Sequence, residues 1–172
     1  NAGIFGDRRP FVSPPVDNGD EIEKAVRLES WNEVLNTNLT GVLNCCQLIG
    51  PQMLTRGSGK VINIISNNAV LVYQNTGAYN PTKAAVHMMT KVMALEWAPY
   101  NVNVNAIGPG FFETEMTRER HSDPEIRNRM LDSIPLNRFA DPRAVGLMAL
   151  YFASPASDWV TGQVVFVDGG ES

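Results

Sequence analysis

Histidine and cysteine are scarce in this chain, two of each in 172 residues. Cys45 and Cys46 are adjacent within an expected helix, which gives neither a disulfide framework nor a zinc spacing. His87 and His121 lie far apart, so a histidine metal cage or a Ser-His-Asp triad has little to draw on. Basic residues are in the minority, 14 Lys and Arg against 18 Asp and Glu, with a formal net charge of -4 and a pI near 5.2. An acidic surface gains nothing from a polyanion, which argues against nucleic acid or an anionic membrane as the main partner. The basic spot at Arg118, Arg120, Arg127 and Arg129 is interleaved with Glu119 and Glu125, as on a solvated helix face. No apolar run approaches transmembrane length, and Asn1-Ala2-Gly3 carries no signal pattern. A reducing, cytoplasmic compartment is expected.

What is present is ordinary for one soluble domain: 44% hydrophobic and 19% charged residues, with no internal repeat. The chain opens on Asn, inside what reads as a loop, so a piece of a longer protein is expected. Pro10, Pro14, Pro15 and Gly19 continue that loop up to Asp20. From about Ser30 to Ile49, Trp31, Val34, Leu35, Leu39, Val42, Leu43 and Cys46 recur at helical steps, interrupted by Asn36, Asn38 and Gly41. Val61 to Ile65 is a β-rich apolar run of the kind a buried parallel strand shows, and Ser66 stands at its carboxyl end, where open α/β sheets bind ligands.

A helix from Ala78 to Trp97 follows, tolerating Pro81 in its first turn. Asn101 to Ile107 alternates like a second strand and runs into Gly108-Pro109-Gly110. Phe111 to Arg138 has the mixed composition of a cover over a site or of a surface excursion. Pro142 opens a third helix with Asp141 near its cap, and Gln163 to Val167 forms a third strand. Alternating helices and strands predict an α/β fold with a parallel sheet.

Tyr79 and Lys83 stand four residues apart on that helix, so an ammonium can sit beside a phenol. A phenol has a reference pKa of about 10, and a nearby cation would pull it down. With the Ser66 hydroxyl to hold a substrate oxygen, the three groups suit a carbonyl becoming an alcohol, or the reverse. Taken alone, Asn38 reads as a buried amide bonded to backbone.

Asn1-Ala2-Gly3, Asn38-Leu39-Thr40-Gly41, Ile62-Asn63-Ile64-Ile65-Ser66, Tyr79-x-x-x-Lys83, Asn105-Ala106-Ile107-Gly108-Pro109-Gly110 and Thr161-Gly162-Gln163 with Val167-Asp168-Gly169-Gly170 come in a distinctive order. Together they resemble the short-chain dehydrogenases/reductases, nearly from the first residue to the last. The resemblance implies a Rossmann-like, doubly wound parallel sheet, here the C-terminal part of a single domain. It also implies NAD or NADP as cofactor, a small carbonyl or alcohol substrate of sugar, polyol, sugar-acid or 3-oxoacyl type, and a homo-oligomer, tetramer or dimer.

In that family Tyr79 would be the acid/base, and Lys83 would lower its pKa and hold the nicotinamide ribose. Ser66 would bind the substrate oxygen. Asn38 would hold its helix locally open and bind a water on a proton path. Asn1, Ala2 and Gly3 would line the cofactor, while Pro109, Gly110, Phe112 and Thr114 would border the nicotinamide, Phe112 replacing the more usual Val or Ile.

The family's Gly-rich turn after a first strand does not occur in this sequence, and the stretch from Gly3 to Trp31 is longer than usual. The edge of the Val61 strand would be left unpaired and apolar. Two alternatives stay open. A halohydrin dehalogenase shares the fold but carries Arg at the Lys83 position, and a non-catalytic remnant or assembly module would lack a complete nucleotide site.

Overall fold

The computed structural model describes residues 3–12, 25–113 and 123–172. Three strands, β1 (Gly59–Ile64), β2 (Val102–Pro109) and β3 (Val164–Val167), form a parallel sheet in the order β1-β2-β3. Val61 pairs with Val104 and Ile64 with Ile107, while Gly108 pairs with Phe166. Parallel neighbours require crossovers, and helices supply them. The helices are α1 (Leu28–Leu35), α2 (Gly41–Arg56), α3 (Tyr79–Trp97), α4 (Pro124–Asp132) and α5 (Arg143–Ala153). Among the described residues β1 is an edge strand, as expected from its sequence.

One face of the sheet carries α2 and α3. Met93 and Ala94 of α3 pack on Val102 and Val104, with Cys46, Met53 and Leu54 of α2 beside them. A second cluster joins Ile65, Val86 and Ala106 to Leu39 and Val42. Gly50 lets the two helices meet, because a Cβ there would lie 2.7 Å from the Trp97 ring. On the other face α5 packs against β1 and β2. The asparagines of β2 point polar groups at the chain that leads into β3. Asn103 donates to the Asp158 and Val160 carbonyls, while Asn105 donates to Val160 O and accepts from Gln163 N–H. Buried amides used this way set where β3 begins.

The first helical stretch is longer than its periodicity indicated. It continues through Pro51 to Arg56 and ends at Gly57, whose φ of 69° is the left-handed cap that glycine favours. Between α1 and α2 the residues Asn36–Thr40 form a π turn, in which the Gly41 N–H bonds to Asn36 O, five residues back. The third helix begins after Asp141, whose carboxylate accepts the Arg143 N–H at 2.8 Å. Within the stretch expected to be a cover, α4 starts on Pro124 with Asp123 accepting from Glu125 and Ile126.

Gly108 has no room for a side chain, because a Cβ there would come within 2.3 Å of the Phe166 ring across the β2–β3 pair. Replacing Gly108 with Ala in the full-length polypeptide is expected to lower the unfolding free energy by about 1–3 kcal/mol. Urea denaturation checks this, and adding Phe166→Leu should recover part of the loss.

Candidate active site

The site sits at the carboxyl ends of β1 and β2, where the sheet meets the first turn of α3. Ser66 leaves β1 and caps a short 3-10 turn, Asn67–Ala69, its hydroxyl oxygen accepting the Asn68 N–H at 3.2 Å. Tyr79 opens α3, and Lys83 follows one turn on with its ammonium 5.5 Å from the centre of the Tyr79 ring. Lys83 is 6% exposed and donates to Ile64 O, the last carbonyl of β1, at 3.2 Å. Sheet end and helix start are thereby joined through a cation.

Asn38 sits inside the π turn and is buried. Its carboxamide takes both polar groups of Ile4: Ile4 N–H donates to Oδ1 at 2.9 Å, and Nδ2 donates to Ile4 O at 2.8 Å. Nδ2 also approaches Thr82 Oγ1 at 3.4 Å. The amide is bonded to backbone, as its burial demands, but to a segment 34 residues away. Gly3 is held against the site by this clamp, since a Cβ on it would lie 3.6 Å from both Asn38 Oδ1 and Lys83 Nζ. Gly6 is equally constrained, at φ 67° and over Val34.

Two residues that the sequence did not bring forward as site groups complete the surroundings of Tyr79. Phe5 stacks on its ring at 4.3 Å, and the Arg8 guanidinium lies 5.1 Å over Phe5. Burial pushes the Tyr79 phenol above its ordinary value, while the Ser66 hydrogen bond and the Arg8 charge pull back. This corrects the expectation that Lys83 would hold the phenol low. The ammonium lies 5.5 Å from the ring centre, and desolvation is the largest influence on the phenol. Lys83 itself is lowered to about 8 by burial.

Pro109 ends β2, and Gly110 is tied to β3 through its N–H to Val167 O at 3.0 Å. A Cβ on Gly110 would strike Asp168 at 2.6 Å. Phe112 is buried and bridges to Ala140, so the ring that faces the Tyr73 loop is that of Phe111, at 6.1 Å. Asn1, Ala2, Asp20, Thr114, Arg118 and Arg120 lie outside the described residues. A cleft of about 430 Å³ lined by Arg9, Phe11, Val70, Tyr73, Asn80 and Ala84 opens on the far side of the 67–77 loop and includes neither Ser66 nor Tyr79. Among the described residues no group of acidic, histidine or cysteine side chains could hold a metal, and no helix is long and apolar enough to cross a membrane.

The family model for enoyl-(acyl carrier protein) reductase matches residues 15–172. The chain belongs to the short-chain dehydrogenases/reductases. Among members of that family it is 38% identical over 170 residues to 5-keto-D-gluconate 5-reductase of Escherichia coli, covering 99% of this chain and 62% of that one. It is 42% identical over 154 residues to a 3-oxoacyl-acyl-carrier-protein reductase of Thermotoga maritima, covering 88% and 61%. The crystal structure of a gluconate 5-dehydrogenase from Burkholderia cenocepacia in complex with NADP and tartrate superimposes with a TM-score of 0.86 at 36% identity, over 99% of this chain and 62% of that one. The fold is thus that of the Rossmann-like reductases, of whose length this chain spans about three fifths.

The residues present fit the nicotinamide end of a dinucleotide. Lys83 offers a buried ammonium of which Ile64 O takes one donor, and Gly3 leaves the space beside it open to a ribose hydroxyl.

Burying that ammonium costs stability. In the unfolded chain Lys83 titrates near 10.5 and in the folded chain at about 8, so between these values the unfolded chain binds more protons. Its penalty is full below about 8 and is relieved as pH rises towards 10.5. In the full-length polypeptide Lys83→Met is expected to raise the thermal midpoint at pH 7 by roughly 4 °C. That gain should fade by pH 10.5 in scanning calorimetry.

Proposed function

We propose that this protein is an NAD- or NADP-dependent oxidoreductase that interconverts a secondary alcohol and a ketone. The observation that carries the reading is the gathering of buried Ser66 at the end of β1, half-buried Tyr79 at the start of α3 and buried Lys83 one turn further along α3. A bound nicotinamide supplies or accepts the hydride. The chain's own residues handle the oxygen and its proton. In the reducing direction the Ser66 hydroxyl holds the carbonyl oxygen beside the Tyr79 phenol. As that oxygen gains negative charge, the O–H bond of Tyr79 breaks and its proton goes to the substrate. Burial keeps Tyr79 protonated at neutral pH, which suits a donor. The phenolate left behind accepts a hydrogen bond from the new alcohol, and the positive charges of Arg8 and Lys83 stand nearby. Oxidation runs the same transfers backwards.

The relatives named for 5-keto-D-gluconate and for 3-oxoacyl substrates support a sugar-acid, polyol or acyl ketone as substrate class. A homo-oligomer, dimer or tetramer, is supported by the outward faces of α2 and α3, where Leu48 is 77% and Leu95 80% exposed, with Ile49, Met88 and Val92 beside them. A second copy offers the same apolar faces, and pairing them would remove that surface from water.

Replacing Tyr79 with Phe in the full-length polypeptide is expected to lower turnover by roughly 10²–10⁴-fold. Cofactor affinity should stay within about twofold, because the lost hydroxyl serves the proton and not the nucleotide. Initial rates with both cofactors across a panel of keto-acids and polyols, alongside titrations of cofactor binding, decide the matter. A variant that keeps turning over would sink the assignment.

A further inference from the structure

Asp168, Gly169 and Gly170 close β3 in a tight turn. Gly169 and Gly170 have φ of 73° and 92°, and Asp168 accepts the N–H groups of Gly170 at 3.1 Å and Ser172 at 2.9 Å. A Cβ on Gly169 would come within 2.6 Å of Ile134, so the turn is pressed against the end of α4. Glu171 follows it, and its carboxylate meets the residue next to Ser66. Asn67 Nδ2 donates to Oε2 at 2.7 Å, and the Tyr73 hydroxyl donates to Oε1.

These two bonds leave the carboxylate half satisfied. An ionised carboxyl offers about four lone-pair positions and donates nothing. The Ser133 hydroxyl lies 3.2 Å from Oε1, but it has a single proton, and Met130 O at 2.8 Å is the nearer acceptor. Among the described residues no lysine, arginine or histidine pairs with Glu171. The side chain is nevertheless half-buried. A negative charge partly withdrawn from water, with no cation beside it and acceptor positions open, fits a hydrogen-bond donor that comes from outside the chain.

We propose that Glu171 is a substrate-binding residue that accepts a hydroxyl of a polyhydroxy ketone or polyol, and that it selects this class over 3-oxoacyl substrates. The proposal rests on the chemistry given above to Ser66 and Tyr79. Asn67 sets the scale: its Oδ1 is 3.3 Å from Ser66 Oγ and its Nδ2 is 2.7 Å from Glu171, so the carboxylate lies within about 8 Å of the Ser66 oxygen. A ketone whose oxygen sits at Ser66 and Tyr79 reaches Glu171 with a group roughly two to four carbons along its chain. Polyols and sugar acids carry hydroxyls on those carbons. A 3-oxoacyl chain presents methylenes on one side of the ketone and a thioester on the other, neither of which donates. Either would strip water from the charge with no bond to replace it.

Glu171 also ties the Tyr73 loop to the tail of β3, and a purely mechanical tie would slow every ketone alike. The test is therefore a ratio, measured on the full-length polypeptide with Glu171→Ala. It compares kcat/KM for ketones that share a carbon skeleton and differ in hydroxyls: 5-keto-D-gluconate with 5-oxohexanoate, and D-fructose with 2-hexanone. The ratio of polyhydroxy to deoxy member is expected to fall by roughly 10–100-fold on substitution, the worth of one hydrogen bond to a charged group. An unchanged ratio, whether both members fall together or neither does, overturns the proposal. So does a native enzyme that reduces acetoacetyl-coenzyme A but neither polyhydroxy ketone.

Should Glu171→Ala not accumulate as folded protein, Glu171→Gln, which keeps the size and removes the charge, takes its place and must lower the same ratio. Tyr79→Phe measured alongside tells the two levels apart. If it is inactive while the ratio ignores Glu171, only the substrate assignment falls. If it stays active, the proposed chemistry falls, and the assignment with it.

Discussion

A buried ammonium bound to the last carbonyl of a strand is the contact on which this site depends. Lys83 reaches Ile64 O from the first turn of α3, and that bond ties the start of the helix to the end of the strand. Tyr79 and Ser66 are consequences of it, one a turn earlier on the helix and the other two residues beyond the carbonyl. The bond is made at a cost, since Lys83 holds its proton less tightly here than in water. A chain selected only for stability would place an apolar side chain there, and a charge kept in so dry a place argues for use rather than for packing.

The polar residues that interrupt apolar elements follow a common logic. Asn38, Asn63, Asn103 and Asn105 all lie in helix or strand stretches with core-facing neighbours, and each is spent on holding a particular segment. Asn38 grips Ile4, Asn63 donates to Thr90 of α3 at 2.9 Å, and the β2 pair receives the chain entering β3. Such bonds add little net energy, but leaving any of them unmade would be expensive. They therefore specify one arrangement among several that the apolar residues alone would accept.

The sequence was most informative where a function needs only local spacing. The i,i+4 placement of Tyr79 and Lys83, the position of Ser66 after an apolar strand and the alternation of helices and strands could all be read directly, because each is set within a few residues. The end of α2 was not legible: Gly50-Pro51 looks like a breaker, yet the helix passes through it, Gly50 making room for Trp97. The state of Tyr79 was not legible either. Spacing suggests a cation beside a phenol, but it cannot reveal that Phe5 covers the ring and that dehydration outweighs the charge. Glu171 was hidden for a simpler reason. Its partners Tyr73 and Asn67 lie 98 and 104 residues away in the chain, and nothing local distinguishes its carboxylate from a solvated one.

The π turn at Asn36–Thr40 does more than aim one amide. An extra residue in a helical turn shifts everything after it by about 100° around the axis. The stretch before the turn can therefore present Ser30 and Val34 to the Asp7 and Gly6 backbone, while the stretch after it presents Cys46, Gly50 and Met53 to α3 and the sheet. One continuous rod serves two docking partners that a regular helix of the same sequence could not satisfy together. Removing a single residue from the turn would restore an unbroken α-helix and, by that very regularity, rotate one half of the rod away from its partner.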